Sequence, residues 1–416
     1  GETLAADEPR FRVVNILKNG RWEAERISFA TASHLVETGP EPGRYVETVP
    51  ERAYPAGESV AHVTGYVGEI AAEELRTWSK LGYRVGDRMG KSGLERWYER
   101  MITGERGRRT LFVDSMGEFL DTFGREPSYG APRLRSTLDL RIQEAAYAAL
   151  EEEERPGAVL VMEPYSGEML ALATYPSFDN NEAVGGFDAK VWKELQEDPS
   201  HPLINRAISI SVPIGSVFKP VVLAAALEEG IVDTSTTFYC PGYFHLGDRT
   251  FRCWERQGHG KLDIYRAMAD SCDVAFYNMG HQLGVTRIRK YAKMLGLGRK
   301  AGIDLPGEAI GLLPSPEWKK DFRGAVWYEG DTVNLSIGQG FLEASPIQVL
   351  VMINVFATRG LLVTPHLAPD GAKKPERVDL GPRTFDIVRR GMRDAVLEGT
   401  AVRMMRFPVP SAGKTG

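Results

Sequence analysis

Cysteine is scarce: three in 416 residues, too few to build a disulfide-stapled scaffold. Long apolar runs are missing as well. The longest, about Val349–Ala357, is broken by Asn354 and is too short to cross a bilayer. The chain opens on neither a methionine nor a charged-then-apolar leader, so its start reads as a cut edge. Neither sign of charge prevails. The 51 basic and 56 acidic side chains leave −5, which argues against a nucleic-acid partner held by bulk charge. No internal repeat or low-complexity tract is visible. What remains is the mix of an ordinary folded protein, 43% hydrophobic and 26% charged, at a length that suggests two or three domains.

The first 130 residues are uneven. A strand-like run, Phe11–Leu17, is followed by the punctuation Gly39-Pro-Glu-Pro-Gly43, and a helical patch at Gly93–Met101 sets Leu94, Trp97, Tyr98 and Met101 on one side. Gly124–Pro132 has two glycines, two prolines and no apolar period, and marks a boundary between domains at 1–130 and 131–416. Beyond it, Leu140–Glu153 predicts a helix capped by Asp139, with Ile142, Ala145, Ala146, Ala149 and Leu150 facing the core. Gly157–Met162 and Glu168–Thr174 predict strands joined by a turn at Pro164-Tyr165-Ser166-Gly167. Residues 216–296 read as mainly helical. Thr384–Leu397 predicts a helix burying Phe385, Val388, Met392 and Val396, ahead of a late strand at 411–416. This order suggests an α+β domain built on an antiparallel sheet with helices on both sides.

One cluster carries chemistry. Ser216-Val-Phe-Lys219 opens an apolar helix that ends at Gly230, and residues three apart share a helix face. Serine needs a base to take its proton, and an apolar surround lowers a lysine toward the neutral form that can do so. The helix N-terminus also favours developing negative charge. A four-residue pattern recurs by chance, and Ser411-Ala-Gly-Lys414 also fits, but it encloses Gly413 and no apolar helix follows it. The first pair gains weight from two further motifs, Ser271-Cys272-Asp273 at the start of another apolar helix and Lys414-Thr415-Gly416 at the end.

In that order the three motifs resemble those of penicillin-binding proteins and class A β-lactamases. The similarity extends to Gly157-Ala-Val-Leu-Val-Met-Glu-Pro164, Ser166-Gly-Glu-Met-Leu-Ala171, Tyr175-Pro-Ser-Phe178 and Pro202-Leu-Ile-Asn-Arg-Ala207. Gly258-His-Gly260, Gly330-Asp-Thr-Val-Asn-Leu-Ser-Ile-Gly-Gln-Gly340 and Gly399-Thr-Ala401 belong to the same pattern. In the first domain, Gly90-Lys-Ser-Gly-Leu-Glu95 and Gly1-Glu-Thr-Leu-Ala5 resemble the pedestal of the class B enzymes. Asp273 together with Gly258-His-Gly260 is similar to the elongation-type branch, typified by penicillin-binding protein 2. Division-type relatives usually carry Asn there.

The resemblance implies a pedestal or dimerisation-like domain at 1–130 and a serine D,D-transpeptidase domain at 131–416, inhibited by β-lactams. It assigns Ser216 as nucleophile, Lys219 as base and Ser271 as proton relay, with Asp273 in the same motif. Lys414, Thr415 and Gly416 would hold the carboxylate of a D-Ala-D-Ala stem peptide. By the same resemblance no cofactor would take part in catalysis. A single-pass anchor would precede Gly1 and place the domain outside the cytoplasm. Further strands and a helix would follow Gly416, and the next residue would supply an oxyanion-hole N–H. Either that remainder is absent from this chain or the fragment is inactive, since losing one oxyanion donor costs roughly 10²–10³ in rate. The expected partners are a SEDS-family glycosyltransferase and a rod-shape scaffold protein, with no nucleic acid. A β-lactamase, a β-lactam sensor and a non-catalytic scaffold that activates a glycosyltransferase would share parts of the pattern.

All three cysteines and one histidine fall within 33 residues, Cys240, Cys253, His259 and Cys272, with 12, 5 and 12 residues between them. Three thiolates and an imidazole can complete a tetrahedral structural zinc site. His245 could replace His259. A Cys240–Cys253 disulfide or three unrelated thiols would also fit the spacing.

Overall fold

Apolar side chains recur along Phe11–Ile16, and the strand they belong to runs Ala6–Ile16. It is the centre of a three-stranded antiparallel sheet between Trp22–Ile27 and Arg44–Ala53. The structure is a computed structural model that describes residues 2–16, 22–39, 44–105, 107–115, 119–184 and 186–416. Gly1, Leu17 and residues 40–43, which belong to three of the segments named above, lie outside the described residues.

The chain divides into two units, Gly1–Arg135 with Pro176–Leu203, and Ser136–Tyr175 with Ile204–Gly416. In the first, the 176–203 excursion is tied in by side-chain amides. Asn181 accepts from Tyr54 N (2.9 Å) and donates to Tyr54 O (3.0 Å), while Asn180 donates to Thr64 Oγ1 and Gly65 O (both 3.0 Å). Glu95 is buried against the Arg52 guanidinium at 2.7 Å. The helical patch at 93–101 is two short helices, Gly93–Trp97 and Glu99–Ile102. Leu94 and Tyr98 are buried as expected, but Trp97, at the end of the first helix, is 50% exposed. Gly124 lies inside the strand Phe119–Glu126, paired with Arg108–Val113 across two register shifts, so the aperiodic stretch starts later than its composition suggests.

In the second unit the helix Leu140–Glu152 is capped by Asp139, whose side chain accepts from Arg141 N. Its buried face is turned from the expected one: Gln143, Ala146 and Tyr147 face inward while Ala145 and Ala149 are exposed. The reason is polar. Gln143 Oε1 accepts from Leu172 N (2.7 Å) and its Nε2 donates to Leu172 O (3.1 Å), completing the hydrogen bonding of the strand Met169–Tyr175. That strand pairs antiparallel with Gly157–Met162, as the turn signal predicts. Residues 216–296 are less helical than expected, with four short strands between 237 and 263 forming two antiparallel pairs. Glycines at 242 and 247 with φ of +93° and +59° turn the chain there. The buried helices Lys219–Glu228, Asp273–Met294, Pro346–Ala357 and Pro382–Glu398 carry most of the core. Phe385, Val388, Met392 and Val396 are buried on the last of these. The late strand expected at 411–416 is not a strand: Gly413 N donates to Met392 O on that helix, and no ladder forms among the described residues.

Gln143→Ala should destabilise the second unit by about 1–3 kcal/mol, because it strands a buried N–H and C=O of Leu172. Urea unfolding measures this, and an unchanged midpoint would show that the amide bridge contributes nothing.

Candidate active site

Ser216 sits in a single 3-10 turn, Gly215–Phe218, that runs directly into the helix Lys219–Glu228. Residues i and i+3 eclipse in such a turn, so Ser216 and Lys219 share one side. Pro220, in the first helical turn, costs no hydrogen bond there. The turn is pressed from behind by Gly338, whose N–H-bearing backbone comes so close that a Cβ would lie 1.9 Å from Gly215 O. Gly338 also has φ +75° and accepts from Gly215 N at 3.0 Å, so only glycine fits. The end of the third motif lies against the same turn, since a Cβ on Gly416 would meet Val217 Cγ2 at 3.1 Å.

Lys219 is 0% exposed. Its Nζ donates to Ser271 O (2.7 Å), Ser271 Oγ (3.0 Å) and Asp273 Oδ1 (2.7 Å), which uses all three ammonium protons. Burial lowers its pKa and the Asp273 carboxylate opposes this, with burial the larger effect. Asp273 opens the helix Asp273–Met294, and its Oδ2 accepts from Trp254 N at 2.9 Å.

Lys414 approaches the same serine from the other side. Its Nζ donates to Ser271 Oγ at 2.9 Å and to Thr415 O at 2.7 Å. Burial, and then the charge of Lys219, push its pKa down to about 7. Thr415 Oγ1 is hydrogen-bonded to Thr400 Oγ1 (2.8 Å), in the Gly399-Thr-Ala401 segment. Lys414 is thus engaged with Ser271, and the second Ser-x-x-Lys match at Ser411 finds no such pairing among the described residues.

Cys240, Cys253, His259 and Cys272 converge, their ligand atoms all within 4.8 Å of one another. The three cysteines are free and buried. His245 is elsewhere, exposed and bonded through Nδ1 to Thr250 Oγ1. His259 Nε2 is buried without a hydrogen-bond partner among the described residues. The Cys272 S–H lowers the Cys253 thiol toward thiolate, and that same contact, with burial, raises Cys272. A thiolate-rich set with an orphaned imidazole nitrogen fits a tetrahedral metal ion. Cys272 lies between Ser271 and Asp273, so such an ion would be covalently adjacent to the second motif. Trp254 does not stand out in the sequence pattern, whereas Thr400 lies in the Gly399-Thr-Ala401 segment already noted. A tryptophan directly after Cys253, in an otherwise polar loop, was the available signal for the first.

Two family models match this chain: the penicillin-binding protein transpeptidase domain over residues 157–416 and the penicillin-binding protein dimerisation domain over residues 18–132. The chain is 37% identical over 389 residues to the peptidoglycan D,D-transpeptidase MrdA of Acinetobacter baumannii, covering 90% of this chain and 57% of that protein. It is similar to the penicillin-binding protein PBP2 of Helicobacter pylori in its complex with MreC. There the TM-score is 0.88 at 29% identity, covering 100% of this chain and 86% of that one. It is also similar to a chain of a peptidoglycan synthase complex that coordinates polymerization and crosslinking, with TM-score 0.85 and 32% identity, covering 100% and 78%. The chain spans about half the length of the curated relatives it matches.

Lys414 should titrate with a midpoint near 7, read by NMR of isotope-labelled lysine side chains. In Lys219→Met the midpoint should rise, because the repelling charge is gone. A midpoint near the ordinary value of about 10.4 in the parent protein would contradict the burial and repulsion described here.

Proposed function

Because the chain belongs to the class B penicillin-binding proteins, matching their transpeptidase domain over 157–416 and their dimerisation domain over 18–132, we propose that it is an elongation-type peptidoglycan D,D-transpeptidase. The observation that carries this reading is the Ser271 hydroxyl, within 3.0 Å of Lys219 Nζ and 2.9 Å of Lys414 Nζ, where three distant motifs meet.

Lys219, having given up one proton, takes the hydroxyl proton of Ser216, and Ser216 Oγ attacks the carbonyl between the two D-alanines. The N-terminus of the buried helix that Ser216 leads into favours the negative charge that develops. Ser271 passes a proton to the leaving amine, the C–N bond breaks and terminal D-alanine departs, leaving an ester on Ser216. An amine from a neighbouring stem then attacks the ester, forming the crosslink and returning the proton to the site. Lys414 and Thr415 hold the substrate carboxylate, with Gly416 bringing that segment against the nucleophile's turn. A β-lactam mimics the donor, but its opened ring stays attached and blocks the amine.

Cys240, Cys253, His259 and Cys272 would hold a structural zinc ion, whose contribution when bound is to fix the 240–272 segment rather than to supply reaction chemistry. No helix of the described residues is long and apolar enough to cross a membrane. Resemblance to membrane-anchored relatives supports an extracytoplasmic domain tethered by a single-pass anchor. By the same likeness, the first unit is a pedestal for a rod-shape scaffold protein and for a SEDS-family glycosyltransferase.

Fluorescent penicillin should label the full-length protein stably, and Ser216→Ala should abolish the label. Rapid turnover would make it a β-lactamase, no label a non-catalytic scaffold, and an adduct on Ser271 or Ser411 would overturn the assignment. A stable label must be followed by a crosslinking assay, because a β-lactam sensor would also label.

The purified protein should carry about one equivalent of zinc. Chelation or Cys253→Ser should loosen the 240–272 segment and slow acylation. Absence of metal together with sensitivity to reductant would instead support a disulfide.

A further inference from the structure

Ser271 has φ +52°, one of four non-glycine residues with positive φ among those described. An L-residue pays for that conformation and keeps it only where its surroundings enforce it. Two of the other three, Glu154 and Arg359, lie just beyond helix ends. Ser271 also lies just beyond a helix end, that of Ile264–Ala269, where Ser271 N donates to Met268 O (3.2 Å) and Cys272 N to Ala267 O (3.0 Å). What sets it apart is its hydroxyl, the oxygen shared by Lys219 and Lys414.

Trp254 grips this residue from both sides. Its indole N–H is shared between Asp270 O (3.0 Å) and Ser271 O (3.1 Å), the two carbonyls that flank the Ser271 φ and ψ rotations. Its backbone N–H holds Asp273 Oδ2 at 2.9 Å. The indole is 53% exposed and meets His259 edge-on at 5.4 Å, so filling the core is not its main contribution. Its placement is set by where the N–H points.

We propose that Trp254 is a positioning residue whose indole N–H, bridging the Asp270 and Ser271 carbonyls, holds Ser271 in the left-handed conformation that aims its hydroxyl between Lys219 and Lys414. Relaxation of φ to negative values would re-aim the Cα–Cβ bond and take the oxygen off one or both lysines. The inference rests on the reading of Ser271 as proton relay in acyl transfer. Substrate binding depends on other groups, so the loss should fall on the chemical step.

The test uses the full-length protein with position 254 changed alone: Trp254→Phe, a benzothienylalanine in which sulfur replaces the indole N–H, and 5-fluorotryptophan, which keeps it. Stopped-flow acylation by fluorescent penicillin separates the limiting rate from the pre-acylation Kd. The limiting rate should fall about ten- to a hundredfold in the first two. Their Kd and zinc content should match the parent protein within about twofold, and 5-fluorotryptophan should retain the parent rate. Unchanged acylation with benzothienylalanine would overturn the proposal, as would an equal loss with 5-fluorotryptophan. A structure of Trp254→Phe decides the conformational claim independently of activity. Ser271 at negative φ supports it, and φ still near +52° overturns it. A parent protein that penicillin does not label would instead count against the functional reading.

Discussion

Two lysine nitrogens within about 3 Å of one serine oxygen is the arrangement on which the rest of the site depends. Two ammonium groups so close repel each other, and burial penalises both. Lys414 therefore titrates near 7, while Lys219 is lowered by burial and partly restored by Asp273. The consequence is a cluster in which a proton is easily surrendered, which is the condition for a lysine to act as a base near neutral pH. Asp273 is the counterweight. Breaking its buried pair with Lys219 would cost on the order of 3–5 kcal/mol by leaving one charge uncompensated.

The fold supplies this arrangement from separate pieces. Lys219 comes from the first turn of a largely apolar helix, Ser271 and Asp273 from the start of a second, and Lys414 from the segment that Gly413 N ties to Met392 O. Gly338 allows the nucleophile's turn to be backed by main chain rather than by side chains. The Cys240/Cys253/His259/Cys272 group adjoins the second motif through Cys272, so order in the 240–272 segment and order at Ser271 are physically linked. In the first unit, by contrast, the buried charge of Glu95 is met by Arg52 and has no chemical partner of this kind.

The motifs were legible because chemistry fixes their residue types. Ser216, Lys219, Ser271, Asp273 and Lys414 can each be read from spacing and order, as can the four metal-ligating candidates. The hairpin at 157–175 was legible from two apolar runs and the turn signal between them, and the helix burying Phe385 and Val388 from its period. What escaped was whatever depends on a distant partner. The inward turn of Gln143 follows from the unpaired backbone of Leu172, which is 29 residues away. The short strands between 237 and 263 carry scattered apolar residues, since each has only one partner strand and a partly exposed face. The excursion of 176–203 back to the first unit is fixed by Asn180 and Asn181, whose amides look like ordinary loop residues until Tyr54 and Thr64 are beside them. The left-handed Ser271 has no signature at all, because serine is not the residue that conformation selects.

The most direct test of the account is a crystal structure of the full-length protein acylated by a penicillin. The account predicts an ester on Ser216 Oγ, the penicillin carboxylate on Lys414 and Thr415, and the Ser271 hydroxyl still lying between Lys219 and the former lactam nitrogen. An ester on another residue, or a Ser271 hydroxyl turned away from both lysines, would contradict it.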